Sequence, residues 1–179
     1  MDKYSDENVR AWAYDPDRTW IDDTNQDEDL TIGHLSLEIL LPLVDDSACL
    51  KGDYILRCLD YHHACIIRRG YEPHHLTHTR DAMNAAKRFE SEKLQDWAAS
   101  LERRLSYCAG LGPTSRNRAL AIAREILVDL ATPGEHEVSV VCENAAAFIV
   151  ERRFPNPQYW ERLTIDKTTG RFTFDRATP

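Results

Sequence analysis

The residues best suited to chemistry lie in one stretch: Cys58, His62, His63 and Cys65, followed by His74, His75 and His78. On a helix Cys58, His62 and Cys65 share one face, and His74 and His78 share another, which offers nitrogen and sulfur donors for a tetrahedral metal site. The stretch has neither an H-E-x-x-H arrangement nor a C-x-x-C pair. Its Cys-His-Cys face also coincides with the apolar stripe that Ile55, Leu59 and Ile66 draw along the same helix. The expectation is a buried helix face with one hydrogen-bonded histidine and a His-rich loop, with no metal and no cofactor. A metal-dependent hydrolase built on this cluster is the enzyme alternative.

Other catalytic patterns fail on identifiable residues. Gly33-His34-Leu35-Ser36-Leu37 puts Leu37 where a nucleophile elbow needs a small residue. Gly110-Leu111-Gly112-Pro113 lacks the third glycine and the Lys-Ser/Thr ending of a phosphate loop, and it follows a helical pattern where a strand is required. It reads as a turn between helices. The basic doublets Arg68-Arg69, Lys87-Arg88, Arg103-Arg104 and Arg152-Arg153, with Arg116 and Arg118, would form a phosphate-binding stripe if gathered on one surface. Acidic neighbours such as Glu90, Glu92, Glu102 and Glu151 favour solvated faces with ion pairs instead. A nucleic-acid-binding regulator is therefore a distant alternative.

The elements that must position these residues follow from hydrophobic periodicity. Apolar residues at spacings of three and four predict helices over Asp53–Arg69, Thr79–Ala109 and Arg116–Leu130. Gly70 stops the first, Gly110–Pro113 breaks the second, and Thr132-Pro133-Gly134 ends the third. Tyr71–Thr77 is expected as a loop. Leu30–Val44 is apolar core of undetermined type, because Pro42 must end or kink a helix there. Alternation predicts strands at Asn8–Tyr14, at Glu137–Cys142, and at Trp160–Ile165 and Arg171–Asp175, the last two flanking a hairpin loop that ends in Gly170. The expected fold class is α+β: a three-helix central region packed on a small antiparallel sheet formed mainly by the C-terminal strands, with the N-terminal strand as a possible addition.

At 179 residues, 42% hydrophobic and 29% charged, the chain suits one domain over residues 1–179 with a real core. It has no basic, apolar leader and no uninterrupted apolar run of the ~18 residues needed to span a bilayer. Its five cysteines are odd in number and lie mostly inside apolar patterns, as reduced thiols do. A cytoplasmic location is expected.

The acidity is local. Met1–Leu30 holds ten acidic and three basic residues, and so carries seven of the eight net negative charges. Within it, Trp12, Tyr14 and Trp20 precede Asp22, Asp23, Asp27, Glu28 and Asp29. Aromatic side chains supply contact area at low entropic cost, and an acidic rim speeds encounter with a basic protein. These eight residues are the candidate partner-binding set. The competing reading has Trp12 and Tyr14 facing the core beneath a solvated acidic loop.

Over Ala11-Trp12-Ala13-Tyr14-Asp15-Pro16-Asp17 and Gln26-Asp27-Glu28-Asp29-Leu30 the chain resembles the small acidic immunity proteins of bacterial polymorphic toxin systems. The likeness spans about the first thirty residues. It implies a non-enzymatic inhibitor that binds a cognate toxin and blocks its active site or substrate surface. The acidic segment makes a basic toxin domain the expected partner, with neither a membrane nor nucleic acid expected as one.

Overall fold

A computed structural model describes residues 4–18, 32–69, 73–130, 137–155 and 158–177, and the side chains within these spans except those of residues 73–75. The elements run α1 (Asp6–Tyr14), α2 (Leu37–Asp45), α3 (Gly52–Arg69), α4 (Pro73–Ala86), α5 (Glu92–Ala109), α6 (Arg116–Leu127), then β1 (Glu137–Glu143), β2 (Ala147–Arg153), β3 (Trp160–Asp166) and β4 (Phe172–Ala177). The strands form one antiparallel sheet in the order β1-β2-β3-β4. The fold is α+β. Among the described residues no helix is long and apolar enough to cross a membrane.

Among the described residues the hydrophobic interior has two parts. In the first, Val9 and Trp12 of α1, Leu40, Leu41 and Val44 of α2, Ile55 and Leu59 of α3, and Leu94, Trp97 and Leu101 of α5 pack together. In the second, Ile122, Ala123 and Ile126 of α6 cover the inward residues of the sheet, Val138, Phe148, Val150, Leu163, Ile165 and Phe172. Helix α3 serves both, giving Ile55 and Leu59 to one and Ile67 to the other.

Several expectations change. Asn8–Tyr14 is helical, so no N-terminal strand joins the sheet. Ser5 caps α1 by accepting from the Asn8 backbone N–H at 3.4 Å, Asp6 and Glu7 complement the dipole of the first turn, and Val9, Trp12 and Ala13 are its buried face. Over seven residues an alternating pattern and an i, i+3, i+4 pattern select overlapping positions, and the cap decides. Leu37–Asp45 is a helix that contains Pro42 and starts at the cap Ser36.

The expected helix Thr79–Ala109 is two helices, α4 and α5, separated by Lys87–Ser91. Ser91 is extended (φ −60°, ψ 125°), and the Gln95 amide donates to the Phe89 and Lys87 carbonyls that the break leaves free. The break lets α5 pack against α4, which a continuous helix could not do. Part of the expected loop Tyr71–Thr77 belongs to α4, whose first residue, Pro73, has no N–H to lose at that position.

Strand β2 has no counterpart in the predicted set, although it is central. Asn144 starts it: its side-chain oxygen accepts from the backbone N–H groups of Ala146 and Ala147, both at 2.8 Å, turning an alanine run with good helix propensity into a hairpin. The expected Gly110–Pro113 turn is present and docks on the β3–β4 turn. Gly112 N–H donates to the Thr169 carbonyl at 3.0 Å and Thr114 N–H to the Lys167 carbonyl at 2.8 Å. Gly170 makes this fit possible, with φ +71° and a Cβ position that would lie 2.8 Å from Thr114 Oγ1.

Helix α6 ends at Leu127, three residues short of the predicted Leu130, on a buried ionic cluster. Arg104 Nε donates to the Glu125 carbonyl at 3.0 Å, Arg68 Nε to Ile126 and Nη2 to Leu127 at 2.8 Å each, and Arg152 Nη1 also donates to Leu127. Three arginines from α3, α5 and β2 thus satisfy the orphan carbonyls at the negative end of the α6 dipole. Asp60, Asp129 and Glu161 balance their charge. In each contributing doublet one arginine is buried and its neighbour, Arg69, Arg103 or Arg153, is exposed.

Candidate partner-binding surface

The two aromatic residues of the candidate set that are described point in opposite directions. Trp12 is 2% exposed. It packs edge-on to Tyr54 with ring centroids 6.2 Å apart, and Lys51 Nζ lies 4.6 Å from its ring centroid. Trp12 therefore belongs to the core and presents no area to a partner. Tyr14 is 39% exposed, and its hydroxyl donates to Asp46 Oδ2 at 2.5 Å. That bond is the main cause of two opposed shifts: the Tyr14 phenol is raised above its ordinary value, and the Asp46 carboxyl is held below its own. Trp20, Asp22, Asp23, Asp27, Glu28 and Asp29 lie outside the described residues.

The structure adds residues the sequence did not single out. The turn that receives Tyr14, Asp46–Lys51, holds Leu50, whose side chain is 62% exposed. The same turn is fastened to the end of α1 from below: Cys49 Sγ donates to the Ala13 carbonyl at 3.7 Å, and Lys51 Nζ donates to Trp12 at 3.0 Å and Arg18 at 2.6 Å. Next to Tyr14 and Leu50 in the chain lie the exposed residues Asp15, Asp17, Asp45 and Asp53, with Asp46 half-buried; Asp53 pairs with Lys93 at 3.3 Å.

Electrostatics make this corner unusual. Helices α1 and α2 both end here, and neither carries a basic residue in its last turn. A helix C-terminus has the effect of roughly half a negative charge, which cations ordinarily offset. Here Asp15 occupies the cap position of α1 and Asp46 that of α2. Lys51 offsets part of the α1 end by donating to the Trp12 carbonyl.

The histidines gather elsewhere. His62 and His63 of α3, His34 before α2, and His78 of α4 line a cavity of about 450 Å³ together with Cys65 and Arg69. His34 and His62 meet edge to face at 4.4 Å between centroids, and His63 Nδ1 lies 3.2 Å from Thr79 Oγ1. Burial is the chief cause that lowers His62 to about 4 and His63 to about 3. Cys58, His62 and Cys65 do not converge: Cys58 is buried against the helical core while Cys65 lines the cavity. Among the described residues no group of three or more His, Cys, Asp or Glu side chains is placed to hold a metal ion. Burial raises the thiols of Cys49 and Cys65 and pushes Cys108 up to about 12, the opposite of what a thiolate nucleophile requires.

A groove of about 860 Å³ runs beside the ionic cluster, with Trp97, Val128 and Leu130 on its apolar walls. Its deep polar groups are already engaged. Asp60 accepts from Trp97 Nε1 at 3.1 Å, from Arg104 Nη1 and Nη2 at 2.7 and 3.2 Å, and from the Leu130 backbone N–H at 2.9 Å. Glu125 accepts from Ser100 at 2.7 Å and from Arg103 at 3.2 Å. The basic doublets form no continuous stripe, because Arg68, Arg104 and Arg152 are committed to α6.

Comparison with protein-family models, with curated proteins and with solved structures finds no match for this chain.

Proposed function

We propose that the chain is a non-enzymatic protein-binding module whose contact surface is the acidic, partly apolar corner built by the ends of α1 and α2 and the turn that joins α2 to α3. The observation that carries this reading is the exposure of Leu50 and Tyr14 beside two helix C-termini that are capped by Asp15 and Asp46 and have no basic residues in their last turns. A central apolar patch with a charged rim is the anatomy of a protein interface, and the sign of the rim selects a basic partner. The acidic residues Asp22, Asp23, Asp27, Glu28 and Asp29 extend the same charge in sequence. The resemblance to immunity proteins makes the specific form of this function the inhibition of a cognate bacterial toxin by covering its active site, in the cytoplasm.

The test is kinetic. A basic partner retained on the immobilised chain from an extract of its native cell is purified, and its dissociation is followed from wild type and from Leu50→Asp. The variant is expected to dissociate about 30-fold faster, equivalent to about 2 kcal/mol for a central apolar anchor. Its thermal unfolding should match wild type, because the side chain stands in solvent. Equal dissociation rates would move the interface to another surface.

A further inference from the structure

The histidine cavity is separate from the proposed contact surface, and its composition indicates a ligand. His34, His62, His63 and His78 come from three segments and share it with Arg69; among its described lining residues there is no carboxylate. The other side of the lining is apolar, with Leu35, Leu37 and Ile66. Its volume of about 450 Å³ lies in the range of small-molecule sites.

We propose that this cavity binds a small organic oxyanion, with the anionic group held by Arg69 and the histidines and the apolar body against Leu35, Leu37 and Ile66. The physical argument starts from charge. Among the described residues, the charged or titratable groups facing His62 are His34 from the segment before α2, His78 from α4, and His63, Cys65 and Arg69 from α3 itself; Arg104 of α5 acts on His63. All but the thiol are basic, so each proton added to the cluster is repelled by the others. An anion would reverse that repulsion and take the place of the missing counter-charge. Three features hold the donors in place. Thr79 fixes one nitrogen of His63, Trp97 packs against its ring at 5.8 Å between centroids, and Gly33 approaches His62 so closely that a Cβ there would lie 2.4 Å from the His62 Cβ.

Neutral imidazoles also ligate transition metals, but no three of these groups are placed for one. The absence of carboxylate in the described lining also favours an anion over a cation. Metal binding is accordingly an outcome that would overturn the proposal.

Binding must couple to protonation. If the anion restores His62 from about 4 to its ordinary 6.5, nearly one proton is taken up on binding at pH 5.5 and only about a tenth of one at pH 7.5. Affinity should then rise about tenfold between pH 7.5 and pH 5.5. The probe is benzenesulfonate, whose charge is constant over that interval, with neutral benzenesulfonamide as the shape control. Calorimetry in two buffers of different ionisation enthalpy counts the proton, and the His62 ring resonances report the site. Expected are benzenesulfonate binding that is about tenfold tighter at pH 5.5, weak or no binding of the sulfonamide, and at least tenfold weaker binding by Arg69→Gln. Arg69 is exposed, so that variant keeps its fold; His62→Gln provides a second measurement by removing the pH dependence. Absence of binding, equal binding of the neutral control, a pH-independent constant, or stoichiometric zinc uptake with proton release would each overturn the proposal.

Discussion

Replacing Arg104 with Met is expected to destabilise the chain by about 3–5 kcal/mol, the cost of leaving a buried charge without its partner. Asp60 is 1% exposed and Arg104 is 4% exposed, and their two hydrogen bonds are 2.7 and 3.2 Å long. Without the guanidinium, Asp60 keeps, among the described residues, the Trp97 indole and the Leu130 backbone N–H, two neutral donors. The Glu125 carbonyl near the end of α6 also loses its donor. Arg104→Lys should recover little, because a single ammonium cannot reproduce the bidentate contact and reach the carbonyl as well. The double variant Asp60→Asn, Arg104→Met should be more stable than the sum of the two single effects by about 2 kcal/mol, since it buries no unpaired charge. Urea unfolding of wild type, the three single variants and the double variant checks this. A cost below about 1 kcal/mol for Arg104→Met would mean that the pair is hydrated.

The second large effect is acid destabilisation in a window set by the histidines. His62 and His63 are held at about 4 and about 3, below their ordinary 6.5, chiefly by burial and then by neighbouring positive groups. The folded chain therefore binds fewer protons there than the unfolded chain. The stability this contributes is fully present above pH 6.5 and is lost as pH falls toward the folded values. With the half-buried position of His62 discounted, the expected loss between pH 7 and pH 5 is about 3 kcal/mol. Asp46, Glu143 and Asp166 are held below their ordinary range, so their contribution disappears only in stronger acid and the two windows separate. Denaturant titrations at half-unit pH intervals should show the loss, and a His62→Gln, His63→Gln variant should be flat from pH 7 to pH 5. A flat wild-type curve would contradict the burial of these rings.

How much of this was legible in the sequence varies by element, for physical reasons. Helix α3 was legible because eighteen residues give the 3.6 period room to emerge, and a face shared by Ile55, Cys58 and Leu59 has one reading. Helix α1 was not, since nine residues of mixed size satisfy both periods and the Ser5 cap is a single atom contact. Strand β2 was hidden because Glu151 and Arg152 occupy buried positions where alternation calls for at least one apolar residue. Their burial depends on Arg162 and Glu161 of the next strand, which no local window contains. The arginine doublets carried the signal of a helix surface and the fate of an interior, because the carbonyls that receive Arg68 and Arg104 lie 58 and 21 residues away.

The candidate site divides in the same way. The local charge excess was legible by counting, and Tyr14 stays at the surface as a contact residue must. The sequence left Trp12 between a contact residue and a core residue, and its burial is decided by Tyr54 and Lys51, which arrive from α3 and the turn before it. Leu50 carried no signal at all: one leucine between Cys49 and Lys51 reads as core, and only the tertiary path of the turn leaves it in water.

The association rate with the basic partner tests the central claim most directly. It is measured by stopped flow at low and high salt for wild type and for a variant with Asp15, Asp17, Asp45 and Asp53 replaced by Asn, each an exposed carboxylate of the corner. The account predicts that the variant associates at least tenfold more slowly at low salt, that the two rates converge at high salt, and that both proteins unfold at the same temperature. Equal rates at low salt, from two folded proteins, would contradict it.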